Sequence, residues 1–239
     1  MDSGEHAAVG SFPDGLLPNG AVGVVCIGIG DPATLYPEET VAIARAAAKR
    51  SREFAAGRAS ARLALERLGE APAAIPIGVD RAPRWPEGIV GSISHSDRYA
   101  VAAVAYRRDV GGLGIDVESS APLAARLCAK ILSDDETRRL ASLPGRDPLV
   151  WAKIAFSAKE SLYKCYRPIA GSFLAFHDVD LEIFPGDGAL RIRLIRDARP
   201  DALGARSFEG RYAVRNGYVF TAVALPPSRA RQPAREAQA

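Results

Sequence analysis

What the sequence lacks narrows its class first. No apolar run approaches the roughly 20 residues that a membrane-spanning helix needs; the stretch 21–30 is apolar but too short. Residues 1–20 have no basic start followed by a long apolar core, so they do not read as a secretory signal. Their Gly, Pro and Asp content reads instead as a flexible arm. Cysteine is scarce: Cys26, Cys128 and Cys165 form no CxxC pair and cannot all pair internally. Reduced thiols in a cytoplasmic protein are the simplest expectation. No Cys or His stands at zinc-site spacing. Charge of one sign is also missing. The net charge is +3, and Arg229, Arg231 and Arg235 in the tail face only Glu236. The folded part is thus close to neutral and carries no footprint for nucleic acid. What remains is an ordinary soluble composition, 48% hydrophobic and 25% charged. At 239 residues it suffices for one large domain or two small ones.

Periodicity gives a mixed α and β chain. Residues 22–29 (VGVVCIGI) read as a buried strand. Pro37, Glu38 and Glu39 open an Ala-rich helical region that runs to Leu68 and stops at Gly69. A Pro- and Gly-rich loop covers 70–89. Strands are expected at 90–93, 100–106 and 113–117. Helical segments follow Pro122, start at Ser133 with Glu136 three residues on as a capping box, and run from Pro148 to a stop before Pro168. The last third reads as strands at 179–184, 190–195, 208–214 and 218–225. Asn216-Gly217 marks a tight hairpin, because both residues tolerate positive φ. Residues 226–239 are expected to be disordered.

Three short motifs carry the chemistry. In GIDVE (114–118), strand alternation turns Asp116 and Glu118 to one face. Adjacent carboxylates repel unless a cation lies between them. A lone D-x-E is better explained, by roughly ten to one, as a solvated strand end. In FSAKESLYK (156–164), Glu160 and Lys164 are four apart on a helix face. On a surface such a pair contributes only about 0.2–0.5 kcal/mol. Trp151, Phe156, Leu162 and Tyr163 surround this one, so the helix reads as packed. In GSISHS (91–96), serines alternate along a strand leading to His95. Three carboxylates are hard oxygen donors, which favours Mg²⁺, with Mn²⁺ possible.

Taken together and in order, these blocks resemble the Sfp-type 4′-phosphopantetheinyl transferases, and most closely the subgroup like enterobactin synthase component D. The residues that carry the resemblance are KRSREFAAGRASARLAL (49–65), Arg81-Ala82-Pro83 with Trp85-Pro86, GSISHS, GIDVE, FSAKESLYK and GRYAVRNGYVFTAVAL (210–225). The resemblance implies an α/β (α+β) fold of two similar halves related by a pseudo-twofold, with the active site in the cleft between them. It implies a flexible arm (1–20), an N-terminal half (21–113) for the nucleotide of coenzyme A, a C-terminal half (114–225) with the metal and catalytic residues, and a disordered tail (226–239). The implied reaction moves 4′-phosphopantetheine from coenzyme A to a serine of an apo carrier protein and releases 3′,5′-ADP, as in holo-acyl-carrier-protein synthesis. Asp116, Glu118 and Glu160 would hold Mg²⁺. Glu160, or a water on the metal, would accept the serine proton. Lys164, with Lys159 a weaker candidate, would contact the phosphates. Arg50, Arg58, Arg81, Ser94 and His95 would bind coenzyme A. Implied partners are carrier domains of non-ribosomal peptide or polyketide synthases, as in siderophore production, or a fatty-acid synthase carrier, served by a cytoplasmic monomer. The competing readings are a silent relative that only binds coenzyme A or a carrier, and a Mg²⁺-dependent nuclease.

Overall fold

The computed structural model describes residues 8–78, 81–195 and 206–227. It contains two antiparallel sheets. The first runs in the order β1 (Ala8–Ser11), β2 (Ala21–Ile27), β4 (Tyr99–Tyr106), β3 (Ile89–Ser96). The second runs β5 (Gly112–Ser119), β9 (Tyr218–Leu225), β8 (Ser207–Arg215), β7 (Ala189–Leu194), β6 (Val179–Phe184). One long helix lies on each: α2 (Ala48–Leu68) on the first and α5 (Pro148–Ala170) on the second. The short helices are α1 (Pro37–Thr40), α3 (Ala125–Ile131) and α4 (Asp134–Ala141).

Period-two alternation builds the layers. On β4, Ala102 and Val104 join the core under α2, while Val101, Ala103 and Ala105 point the other way. On β5, Leu113, Ile115 and Val117 point to that same central layer, where Phe220 and Ala222 of β9 meet them. The two sheets therefore pack face to face with the helices outside, and the fold is the expected pair of similar halves. β3 and β5 are each the last strand of their sheet and run beside one another at the junction.

Glycines set the register of α5 on β5. A Cβ on Gly114 would lie 1.9 Å from the Ser161 carbonyl oxygen, and one on Gly112 would meet Ile169 and Cys165. Further along the same face, Asp116 bonds Ser157 and Glu118 pairs with Lys153. Two strand residues advance about 6.7 Å and four helix residues about 6 Å. Every second residue of β5 can thus face every fourth residue of α5, from Lys153 through Ser157, Ser161 and Cys165 to Ile169.

Several expectations are corrected. Within the expected arm, Ala8–Ser11 is a strand paired with β2, and Phe12 and Leu16 are buried between the sheets; residues 1–7 lie outside the described residues. The region 37–68 is not one helix. α1 gives way to a 3-10 turn, and α2 begins only at Ala48. Glu39 folds inward and accepts from Tyr36 N, Ile75 N and Arg62. α5 runs through Pro168 and ends at Gly171, whose positive φ closes it. The proline sits in the last turn, where only the Lys164 carbonyl loses a partner. The Ser133–Glu136 capping box and the Asn216-Gly217 turn are present as expected. The expected disorder at 228–239 falls outside the described residues, whereas residues 226 and 227 are described.

Gly114→Ala is expected to cost about 3 kcal/mol of stability, because the methyl group meets backbone rather than a movable side chain. Gly186→Ala, where a Cβ meets nothing, is the control. Urea unfolding midpoints check both. An unchanged midpoint for Gly114→Ala would show that α5 can ride away from β5.

Candidate active site

Asp116 is the centre of the arrangement. It is 4% exposed, and both carboxylate oxygens are taken. Oδ1 accepts from Ser94 Oγ at 2.7 Å and from Lys164 Nζ at 2.7 Å; Oδ2 accepts from Ser157 Oγ at 2.8 Å. Lys164 Nζ also donates to the Ile115 carbonyl at 3.2 Å and Ser94 Oγ at 3.0 Å. Ser92 Oγ accepts from Ile115 N at 3.0 Å. The junction of β3 and β5 is thus laced by serine hydroxyls and one ion pair. Behind Asp116, Ser157 and Ser161 share Thr221 of β9.

Glu118 and Glu160 lie beyond Asp116. Glu118 forms an ion pair with Lys153 at 3.5 Å. Burial raises its pKa, Asp116 adds to the rise, and Lys153 opposes it. Glu160 makes no hydrogen bond or ion pair with the described residues. Burial raises its pKa too; Lys164 opposes this, while Asp116 and Glu118 add to it. The three expected metal ligands therefore share one electrostatic neighbourhood. They do not form a ready-made cage: among the described residues no three His, Cys, Asp or Glu side chains are grouped to hold a metal ion. Lys164 and Lys153 stand against two of the three carboxylates instead. The donor set nevertheless fits a divalent cation. Its oxygens are hard, and burial and mutual repulsion raise the pKa of Glu118 and Glu160 against the opposing pull of Lys153 and Lys164, a strain a cation would relieve.

Next to this cluster a cleft of about 890 Å³ runs along β3 between α2 and α5. Of the expected residues, Arg50, Arg58, Arg81, Ser94, His95, Asp116 and Lys164 line it; Glu118 and Glu160 do not. Strand alternation sends Ser94 to the junction and His95 toward α2. There Arg50 Nη1 donates to His95 Nε2 at 2.6 Å, and Glu53 stands 3.9 Å from Nδ1. Burial lowers the His95 pKa; Glu53 opposes the shift, and Arg50 and Lys164 reinforce it. Arg58 is buried, donates Nε to the Ile75 carbonyl at 2.6 Å and lies over the Phe54 ring. Burial brings its pKa down to about 10. Arg81 sits at the tip of a small loop with φ of 67°.

Lys159 is not part of the cleft. Its Nζ is buried on the far side of α5, where it donates to the Ile131 carbonyl, Glu136 Oε2 and the Phe176 carbonyl at 2.8, 2.8 and 2.9 Å. All three donors are used inside the fold, so the expected phosphate contact is replaced by a buried ion pair. Sequence reasoning missed Glu53, Arg107, Tyr163 and Arg167, which also line the cleft, and Lys153 and Ser157 beside the acids. The four-residue spacing of Lys153, Ser157 and Ser161 was the signal available for the last two.

The 4′-phosphopantetheinyl transferase N-terminal domain model matches residues 38–105, and the 4′-phosphopantetheinyl transferase superfamily model matches residues 112–223. The chain is 42% identical over 199 residues to the 4′-phosphopantetheinyl transferase Svp of Streptomyces mobaraensis, covering 82% of this chain and 80% of that protein. It is 32% identical over 218 residues to the 4′-phosphopantetheinyl transferase Npt of Nocardia iowensis, covering 87% and 97%. Enterobactin synthase component D of Salmonella typhi is 40% identical over 121 residues, 49% of each chain.

The raised pKa of Glu160 has a consequence for stability. The native carboxyl holds its proton more tightly than the unfolded one, whose ordinary value is 4.5. Its contribution is therefore fully present below that pH and is lost as pH rises through the native pKa. In metal-free buffer, Glu160→Gln is expected to melt with the wild type at pH 4 and above it at pH 7. Thermal unfolding at the two pH values checks this; an equal or lower midpoint at pH 7 would mean that Lys164 already supplies the missing countercharge.

Proposed function

The chain belongs to the 4′-phosphopantetheinyl transferase superfamily, related to the subgroup of enterobactin synthase component D, and we propose that it moves the phosphopantetheine arm of coenzyme A to a serine of an apo carrier protein. The observation that carries this reading is the junction itself. A polyanion-sized cleft with cationic walls ends at Asp116, beside Glu160, which has no ion pair with the described residues, and Glu118, which pairs with Lys153 alone.

The N-terminal half, 21–113, supplies the nucleotide side. Arg50, Arg58 and Arg81 face the phosphates of coenzyme A, with planar guanidinium groups suited to phosphate oxygens. His95 and Ser94 complete that wall. The C-terminal half, 114–225, supplies the chemistry. Asp116, Glu118 and Glu160 would hold Mg²⁺. When bound, it supplies charge neutralisation at the diphosphate oxygens. Lys164 fixes the Asp116 carboxylate against the junction and keeps positive charge beside the reacting phosphorus. Glu160 takes the proton of the carrier serine hydroxyl as its oxygen bonds to that phosphorus. The bond from phosphorus to the bridging oxygen breaks, and 3′,5′-ADP leaves with the electron pair. A carboxylate raised by burial is a better base at neutral pH than an ordinary one. Positioning and electrostatics do most of the remaining work in phosphoryl transfer. The relation to an enterobactin synthase component supports carriers of siderophore, peptide or polyketide assembly as substrates. No helix among the described residues is long and apolar enough to cross a membrane, and we place the enzyme in the cytoplasm.

Incubation of apo peptidyl, acyl and aryl carriers with the enzyme, coenzyme A and Mg²⁺ is expected to add one phosphopantetheine mass to the carrier serine. EDTA abolishes the adduct. Asp116→Ala and Glu160→Ala reduce the rate at least a thousandfold, on the order expected for loss of a charge-stabilising or proton-accepting group. Absence of an adduct across all three carriers would leave a protein that binds without transferring. Normal turnover in either variant would remove the metal assignment.

A further inference from the structure

Lys164 has no donor to spare. Its three ammonium hydrogens already meet Asp116, Ser94 and the Ile115 carbonyl. One turn on, the same face of α5 presents Arg167 to the cleft. Its condition is the reverse. Of five guanidinium donors, one is used: Nη1 donates to the Tyr163 hydroxyl at 3.1 Å. Nε is shut off from solvent without an acceptor, and no carboxylate among the described residues pairs with the side chain. Arg50 and Arg58 differ. Arg50 has Glu53 and His95 beside it, and Arg58 has the Ile75 carbonyl and the Phe54 ring. Keeping a partly buried cation so poorly matched costs free energy unless an acceptor arrives with a ligand.

We propose that Arg167 binds the diphosphate of coenzyme A, as the phosphate contact contributed by α5. This rests on the transferase reading above. The nucleotide side belongs to α2 and the 81–83 loop. The diphosphate joins nucleotide to arm and must come beside Asp116 and its partner Lys164, which stands one turn, about 4.5 Å of helix rise, before Arg167. An anion is the matching ligand, because the side chain lacks a countercharge and not merely a hydrogen-bond partner. Tyr163 holds one corner of the guanidinium and leaves the remaining donors for the ligand.

The test is calorimetric titration of the full chain in Mg²⁺ buffer with coenzyme A, 3′-dephospho-coenzyme A and 3′,5′-ADP. Arg167→Leu should weaken the first two by the same factor, about ten- to thirty-fold for a charged hydrogen bond. It should change 3′,5′-ADP, which keeps only the adenosine-side phosphate of the diphosphate, by less than about threefold. Arg167→Lys keeps the charge and should recover most of the loss. Equal loss for 3′,5′-ADP, no loss for coenzyme A, or no recovery by lysine each overturns the proposal; the last would point to a neutral acceptor on the arm. Melting curves accompany each variant, and Arg167→Gln replaces the leucine variant if that one does not fold. A wild type that binds no coenzyme A would sink the transferase reading, and this proposal with it.

Discussion

The Asp116–Lys164 pair at the junction of the two sheets is the interaction on which the site depends. β3 and β5 are terminal strands whose free edges meet, and strand edges left unpaired inside a protein are costly. The junction replaces part of a backbone ladder with side chains. Ser92 accepts from the Ile115 amide, Lys164 donates to the Ile115 carbonyl, and Ser94 and Lys164 both reach Asp116. A cleft can then open directly beside Asp116 without leaving those backbone groups bare. The same bonds tie three elements to one carboxylate: β3 through Ser94, α5 through Lys164 and Ser157, and β5 through Asp116 itself. Removing either charge of a pair this buried leaves the other uncompensated, which is more damaging than the pair is stabilising.

α5 acts as the beam that carries this geometry. On one side, Gly112 and Gly114 let it settle onto β5 closely enough for Ser157 and Lys153 to meet the acids. On the other, Lys159 enters a buried pair with Glu136, whose second oxygen accepts from the Leu181 amide. Desolvating such a pair costs several kcal/mol per ion unless every donor is met, and here three acceptors meet the ammonium. Lys159 and Lys164 belong to one short motif and are the same residue type, yet five residues rotate a helix by about 140°. That rotation, and not the motif, separates a lysine that fastens the fold from one that faces the cleft.

Local rules therefore read part of the molecule well and part poorly. The strands, the Ser133 cap and the Asn216-Gly217 turn follow from alternation and turn chemistry, which act within a few residues. That Asp116 and Glu118 share a strand face, and Glu160 and Lys164 a helix face, follows from alternation and the four-residue repeat; joining them into one expected site needed the order of the surrounding blocks. The break at Ala44–Ala47 was not legible, since Ala44, Arg45, Ala46 and Ala47 are helix formers that carry no turn signal. The strand at Ala8–Ser11 was hidden because a short edge strand with two glycines nearby carries little pattern of its own. Lys159 was misplaced because its partners come from α3, α4 and the segment around Phe176, far off in sequence. Arg167 escaped notice for the opposite reason: a basic residue in the last turn of a helix is favourable there on its own account.

The charges left unmatched are what give the site its direction. Six lysines and arginines line the cleft against three carboxylates, Glu53, Glu87 and Asp116. Just outside it, Glu118 has Lys153 at 3.5 Å, and Glu160 has no ion pair with the described residues. A fold selected for stability alone would let these surpluses cancel, and the Lys159–Glu136 pair shows that this chain can do so elsewhere. Here they stay apart on either side of Asp116. Such a separation favours a polyanion on one side and a cation on the other, and it places their meeting point at the one carboxylate that both halves of the protein hold.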